Sequence, residues 1–249
     1  MSLISDHDIL IPASVAFVTY GIRFIVFAAI AFFALDPSRL PRWGRNCVER
    51  PARFDVALNV RRELRQSLST LCMLTAIFAL LYGYGLLAAS QLYRNINDYP
   101  LWWFWLSIPV LVLLHDTFFY WLHRALHTRW LFAHVHRQHH ESLFPTAFTA
   151  YSFGWQEALA EALIVAVLIF LVPVHPVAFV SFQTLSIAYN VYGHSGRDLL
   201  PLSVSSHWLG RWLNTSTMHA QHHRYSNGNY SFYFSVWDHL MGTLKQDPH

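Results

Sequence analysis

Eight of the sixteen histidines in this 249-residue chain fall at spacings that bring imidazoles together, and His194 makes a ninth candidate. His123 and His127 form an H-x-x-x-H pair. His136, His139 and His140 form an H-x-x-H-H triplet, and His219, His222 and His223 repeat it. On a helix, positions i, i+3 and i+4 lie along one face, so each group can aim its rings at one point. His194 stands alone, with Asn190 one turn before it. Neutral imidazole is a common ligand for transition metals. Nine such donors exceed what one four- to six-coordinate ion takes, so the count suits two ions close together. Without metal, rings this crowded would repel one another on protonation. His115, His134, His207 and His239 lie near the groups but outside their spacing, and His7, His175 and His249 are more remote. These read as ordinary hydrogen-bonded histidines. Cys47 and Cys72 lack C-x-x-C spacing, so neither a disulfide framework nor a thiolate site is expected.

The elements that carry these groups must work in lipid. Hydrophobic residues make up 54% of the chain and charged ones 12%, about half the charge of an ordinary soluble domain. Apolar runs cover roughly residues 11–35, 68–92 and 101–121, and two shorter ones cover 158–174 and 177–192. The first three are long enough to cross a hydrocarbon core of about 30 Å. The first lacks the basic start and A-x-A-like site of a cleaved signal peptide, and carries Arg23 within it. Trp102, Trp103 and Trp105 open the third run in the manner of an interfacial aromatic belt. The last two runs meet at Pro173-Val-His-Pro176, where prolines mark a break between helices.

Between the first two runs lies an arginine-rich stretch, residues 36–66, with Arg39, Arg42, Arg45, Arg50, Arg53, Arg61, Arg62 and Arg65. Positive residues beside membrane spans favour the cytoplasm. The net charge of +3 is therefore a topology signal and not a nucleic-acid footprint. With that stretch inside, the second and third runs go out and return, delivering His123 to His140 to the cytoplasmic side. The last two runs go out and return, whether they span fully or only dip, delivering His194 and then His219 to His223. All three groups and His194 land on one face of the bilayer.

The expected fold is all-α and integral to the membrane. It has four to five embedded helices, an N-terminal span plus two hairpins, under a cytoplasmic helical cap that holds the histidines. One domain is expected, with residues 1–100 supplying N-terminal spans and the basic segment and 101–249 the histidine region.

From Asp116 to the end, the sequence resembles the sterol desaturase and fatty acid hydroxylase superfamily of membrane di-iron proteins. It reads D-x-x-x-Y-W-x-H-R-x-x-H over residues 116–127, H-x-x-H-H at His136, His194-Ser195, and H-x-x-H-H at His219. It then ends on W-D-x-x-x-G-T from Trp237 to Thr243. Phe144-Pro-Thr-Ala-Phe148 and residues 229–238 look closest to sterol C-5 desaturase-like members. The resemblance implies metal ligands at His123, His127, His136, His139, His140, His194, His219, His222 and His223. It implies two iron ions (zinc being a substitute), molecular oxygen as co-substrate, and electrons from a separate donor of the cytochrome b5 or ferredoxin type. Some hydroxylases carry a histidine one turn before the position of His194; Asn190 stands there in this chain.

The expected activity is hydroxylation or desaturation of a sterol or fatty-acyl C–H bond, on a lipid that enters sideways from the bilayer. Phe118, Phe119, Phe144, Phe148, Tyr151 and Phe153 could line that path, although aromatic stripes are more often packing. Asp116, Glu141, Glu157 and Asp238 are candidates for orienting imidazoles, against the plainer reading as capping groups. No nucleotide-binding glycine motif or haem-attachment spacing appears, so the donor is expected to be a partner. A histidine-rich metal transporter is the alternative, but it would place its ligands at mid-membrane depth. A membrane cytochrome would need histidine pairs on facing helices.

Overall fold

The computed structural model describes residues 6–36, 47–199, 207–208 and 210–245. His249 and the side chain of His7 lie outside the described residues, as do Arg39, Arg42 and Arg45. The fold is all-α. Among the described residues the only β pairings are isolated bridges, such as Leu92 to Val174.

Three helices are long and apolar enough to cross a membrane: α1 (Asp6–Leu35), α2 (Val56–Gly83) and α3 (Leu101–Leu126). They are followed by a single turn α4 (Arg129–Leu131), then α5 (Trp155–Leu171) and α6 (Pro176–Gly193), at 17 and 18 residues. Two short helices complete the cap, α7 (Ser216–Tyr225) and α8 (Val236–Leu240). The protein is an integral membrane protein. Its helices bury one face and leave Ile22, Leu80, Leu113, Leu163 and Val180 all more than half exposed, as lipid-facing side chains are.

The helix boundaries have local causes. α2 begins well before its apolar run, because Asp55 accepts a hydrogen bond from Leu58 N at 2.9 Å and caps the first turn. Residues 56–66, which read as part of a polar connection, are therefore helical. The same helix stops at Gly83, and Gly85 (φ +68°) turns the chain into the left-handed region. α6 opens with Pro176 in its first turn, after His175 accepts from Val177 N.

α1 packs on α2 and α6, and α5 sits between α2 and α3. One apolar core joins Phe24, Ala28 and Phe32 of α1 to Phe148, Ile187 and Val191. A second joins Leu111 and Phe119 of α3 to Ile164, Leu168 and Phe182. Arg23 is held inside the bundle: Nη1 donates to Thr184 Oγ1, Nε to Thr19 O, and the guanidinium lies over the Tyr20 ring.

Glu63, fully buried in α2, organises the segment after the second histidine group. Its carboxylate accepts from Asn59 (2.6 Å), Ser142 (2.8 Å), Thr149 (2.7 Å) and Thr146. Arg62 donates to Ser142 Oγ, and Arg50 to Pro145 O. The basic segment is thus fastened to the same end of the bundle as the histidines.

Candidate metal centre

Each histidine group ends a helix or forms a tight turn at that end. His123 lies in the last turn of α3, and His127 is the residue that caps it. The third triplet is α-helical, on α7. The second is not the α-helical stripe its spacing suggests. Phe132–His136 forms a π-turn and His139–Glu141 a 3-10 turn. Such mixed turns rotate side chains away from strict α positions. His194 caps α6.

The nine rings gather into two adjoining groups. One holds His123, His127, His136, His140 and His222; the other holds His139, His194, His219 and His223. Within each group, one nitrogen per ring lies within 4.8 Å of the others. All nine are buried except His127, which is half-buried. The two H-x-x-H-H triplets exchange members. In each, the i and i+4 histidines share a group while the i+3 histidine crosses to the other. His139 leaves His136 and His140, and His222 leaves His219 and His223. The shared-face rule for i and i+4 explains the pairs. The exchange locks the two groups together.

Six rings have Nδ1 on an acceptor. His123 faces Tyr230 O (2.8 Å), His136 faces Glu157 Oε1 (2.7 Å) and His139 faces Ser152 O (3.3 Å). His140 faces His223 O (3.3 Å), His194 faces Asn190 O (2.8 Å) and His222 faces Gly228 O (2.7 Å). A neutral imidazole has one N–H, so in these rings Nδ1 donates and Nε2 keeps its lone pair. Those Nε2 atoms face one another: His123 to His136 at 3.2 Å, His136 to His140 at 3.1 Å, His140 to His222 at 3.1 Å and His139 to His194 at 3.3 Å. Lone pairs opposed at such distances, with no proton between, call for a cation. Imidazole–zinc bonds of about 2.0–2.1 Å place neighbouring ligands of a tetrahedral or octahedral ion roughly 2.8–3.4 Å apart, a range that takes in the observed spacings. His127 Nε2 and both nitrogens of His223 are buried with no partner among the described residues.

The rings outside the membrane spans are held neutral. Burial comes first, then repulsion from neighbouring imidazoles. Together they push His194 down to about 4, His140 to about 3 and His127 to about 2. His136, His139, His219, His222 and His223 are also well below the usual imidazole range.

The C-terminal segment supports the centre from outside. Asp238 accepts from Tyr230 N (3.0 Å), Ser231 N (2.9 Å) and Thr243 Oγ1 (2.7 Å). Asp116 on α3 accepts from Tyr233 N (2.6 Å), and Tyr120 OH meets Thr243 Oγ1 at 3.0 Å. The residues of the W-D-x-x-x-G-T ending are thus fastened to those of the first motif. Of the four acidic candidates, only Glu157 touches a histidine. Glu141 is exposed, beside Gln66. The carbonyls of Tyr230, Gly228, Asn190 and Ser152 were not legible as site groups, because backbone acceptors carry no residue signature.

The other histidines stay apart. His115 packs among Phe182 and Phe232, and His134 faces Trp130 O. His239 faces Ser235 O, and His207 lies against Trp208.

His123, His136, His139, His194 and His219 form one end of a cavity of about 340 Å³. The cavity runs between the helices toward Leu92, Ile169 and Pro176 at their opposite ends. Of the aromatic residues considered for a lipid path, Phe119, Tyr151 and Phe153 line it. Phe148 is instead in the apolar core, Phe144 packs on Phe54, and Phe118 is exposed. Asn190 lines the cavity, and its amide donates to Ala150 O at 2.8 Å.

A family model for fatty acid hydroxylase matches residues 108–243. Lathosterol oxidase of Rattus norvegicus is 29% identical over 188 residues, 75% of this chain and 61% of its own length. Delta(7)-sterol 5(6)-desaturase erg31 of Schizosaccharomyces pombe is 28% identical over 227 residues, 89% of this chain and 68% of its own. Delta(7)-sterol 5(6)-desaturase ERG3A of Gibberella zeae is 27% identical over 240 residues, 94% of this chain and 64% of its own. The chain thus spans about three fifths of the length of the rat relative. No solved structure matches it. The family match runs over more than half of the sequence and takes in every histidine of both groups, and the chain belongs to the fatty acid hydroxylase family.

Proposed function

We propose that this protein is a membrane di-iron oxygenase. It uses dioxygen and electrons from a separate donor, of the cytochrome b5 or ferredoxin type, to hydroxylate or desaturate a lipid. The observation that carries this reading is the convergence of opposed Nε2 lone pairs at one end of an apolar cavity within the membrane helices. His123, His127, His136, His140 and His222 would hold one iron, and His139, His194, His219 and His223 the other. Bound iron would supply the reduction of dioxygen and the removal of hydrogen from an unactivated C–H bond. The chain's own part is to fix the imidazole tautomers, exclude water and hold the lipid against the histidine end. The sterol-acting names of the relatives favour a sterol among lipids, and a double bond as product.

The histidine end is assigned to the cytoplasmic side. Support comes from Arg50 and Arg62, which tie the arginine-rich segment to that end, and from the preference of such segments for the cytoplasm. A metal transporter is disfavoured, because the rings sit at helix ends and not at mid-membrane depth.

Metal content tests this directly. Protein purified without oxygen from iron-supplied cells should carry close to two irons per chain, with His136→Ala and His222→Ala depleted. Cells with active protein should contain an oxidised sterol that cells with His136→Ala lack. Well under one metal per chain, unchanged in the variants, would overturn the assignment.

A further inference from the structure

Glu161 lies on α5 one helical turn from Glu157, about 6 Å further along the axis and away from the histidine end. Both line the cavity. Glu157 is accounted for on one oxygen, since Oε1 accepts from His136 Nδ1; its Oε2 is buried without a partner. Glu161 has no hydrogen-bond or ion-pair partner among the described residues; the cavity-lining residues next to it along α5 are Ala162, Val165 and Ala166, and Tyr151 lies within electrostatic reach. The intramembrane guanidinium is already engaged, by Thr19 O and Thr184 Oγ1. Another polar wall residue is also occupied, since Asn190 donates to Ala150 O.

A carboxyl in an apolar wall at membrane depth is costly to leave unmatched. A carboxyl with no partner at Glu161, beside a Glu157 that is matched on one oxygen only, leaves the occupant of the cavity as the partner. We propose that Glu161 is the specificity-determining residue that hydrogen-bonds a hydroxyl group on the lipid substrate, setting which carbons lie at the histidine end. The inference rests on the lipid-oxidase reading for the identity of the occupant. Anchoring one turn from Glu157 holds the hydroxyl close to the metal centre, so the oxidised carbons lie only a few bonds from it. A lipid with its sole polar group at the far end of a long chain would not satisfy both ends.

The test is equilibrium binding of radiolabelled lathosterol and its methyl ether to full-length protein in lipid nanodiscs, in the wild type, Glu161→Leu and Glu161→Gln. Metal content and melting temperature on the same samples establish that each variant is folded and loaded. The wild type should bind the free alcohol at least about tenfold more tightly than the ether. Glu161→Leu should bring that ratio close to one by weakening the alcohol alone, and Glu161→Gln should restore most of it. A ceramide and its O-methylated form are run in parallel. If the wild type prefers the free ceramide and ignores the sterols, the sterol assignment fails and the Glu161→Leu ratio on the ceramide pair decides. Product analysis is separate: binding discrimination without oxidised product sinks the oxidase reading and leaves Glu161 assigned. A ratio that survives Glu161→Leu, or a wild type that discriminates in neither pair, overturns the proposal.

Discussion

His136 Nδ1 stands 2.7 Å from Glu157 Oε1, and both side chains are buried. The carboxylate fixes the proton on Nδ1 and turns the Nε2 lone pair toward His123 and His140. Partners of this kind set ligand orientation and basicity, and losing one typically costs about 10- to 100-fold in metal affinity. Glu157→Leu should lose iron to a chelator at concentrations lower by that factor. Glu157→Gln, whose amide oxygen still accepts, should fall between. Equal chelator resistance in Glu157→Leu and wild type would remove Glu157 from the centre.

Asp238 does for His123 indirectly what Glu157 does for His136. It grips the amides of Tyr230 and Ser231, and Tyr230 O in turn accepts from His123 Nδ1. Charge-assisted bonds of this type contribute about 1.5–3 kcal/mol each. Asp238→Ala should destabilise the protein by roughly 3 kcal/mol and loosen the metal as well. Asp238→Asn, which keeps one accepting oxygen, should do less of both. Melting curves read beside metal content check the pair, and a stable Asp238→Ala with full metal would show that the loop holds itself.

Acid should undo the metal-free protein along a defined course. Burial, and then neighbouring rings, hold the pKa of His194 near 4 and that of His140 near 3, against an ordinary 6.5. Between those limits the unfolded chain binds more protons than the folded one, so stability falls as pH falls. The contribution is whole above about pH 6.5 and drains away as the pH drops through the folded values. Melting temperature should be flat from about pH 8 to pH 7 and decline steadily below about pH 6.5. A melting temperature that rises on acidification would mean that the rings are not buried neutral.

The sequence carried the centre further than the scaffold around it. Repeated i, i+3, i+4 spacing marks eight of the nine histidines, because proximity on a helix is written in residue intervals, while His194 carries no such mark. The exchange of His139 and His222 between groups is not visible there. It depends on the π and 3-10 turns around His136 and on how α7 meets them. The start of α2 at Val56 was obscured, since arginines at residues 61–65 read as a polar connection while Asp55 and Glu63 make them helical. Glu161 stood in plain view at i+4 from Glu157. A single acid at the edge of an apolar run gives no sign of whether it faces a cavity or water.

Gly228 offers a test in which stability and metal binding part company. A Cβ there would clash with Thr243 O and sit 2.6 Å from Lys245 Cγ. The lysine side chain can swing aside, but the backbone carbonyl, which also accepts from Asn229 N at 3.0 Å, cannot. Gly228→Ala must therefore displace its own backbone, and with it the carbonyl that accepts from His222 Nδ1 at 2.7 Å. Crowding of this kind costs about 1–3 kcal/mol. Gly85→Ala is the matched control. Its φ of +68° makes any side chain strained although nothing lies within 4 Å, at a cost of roughly 1–2 kcal/mol, at the helix end remote from the histidines. Both variants should melt several degrees lower, and only Gly228→Ala should also lose iron. If Gly85→Ala sheds as much metal at the same loss of stability, the centre responds to global loosening and not to the placement of His222.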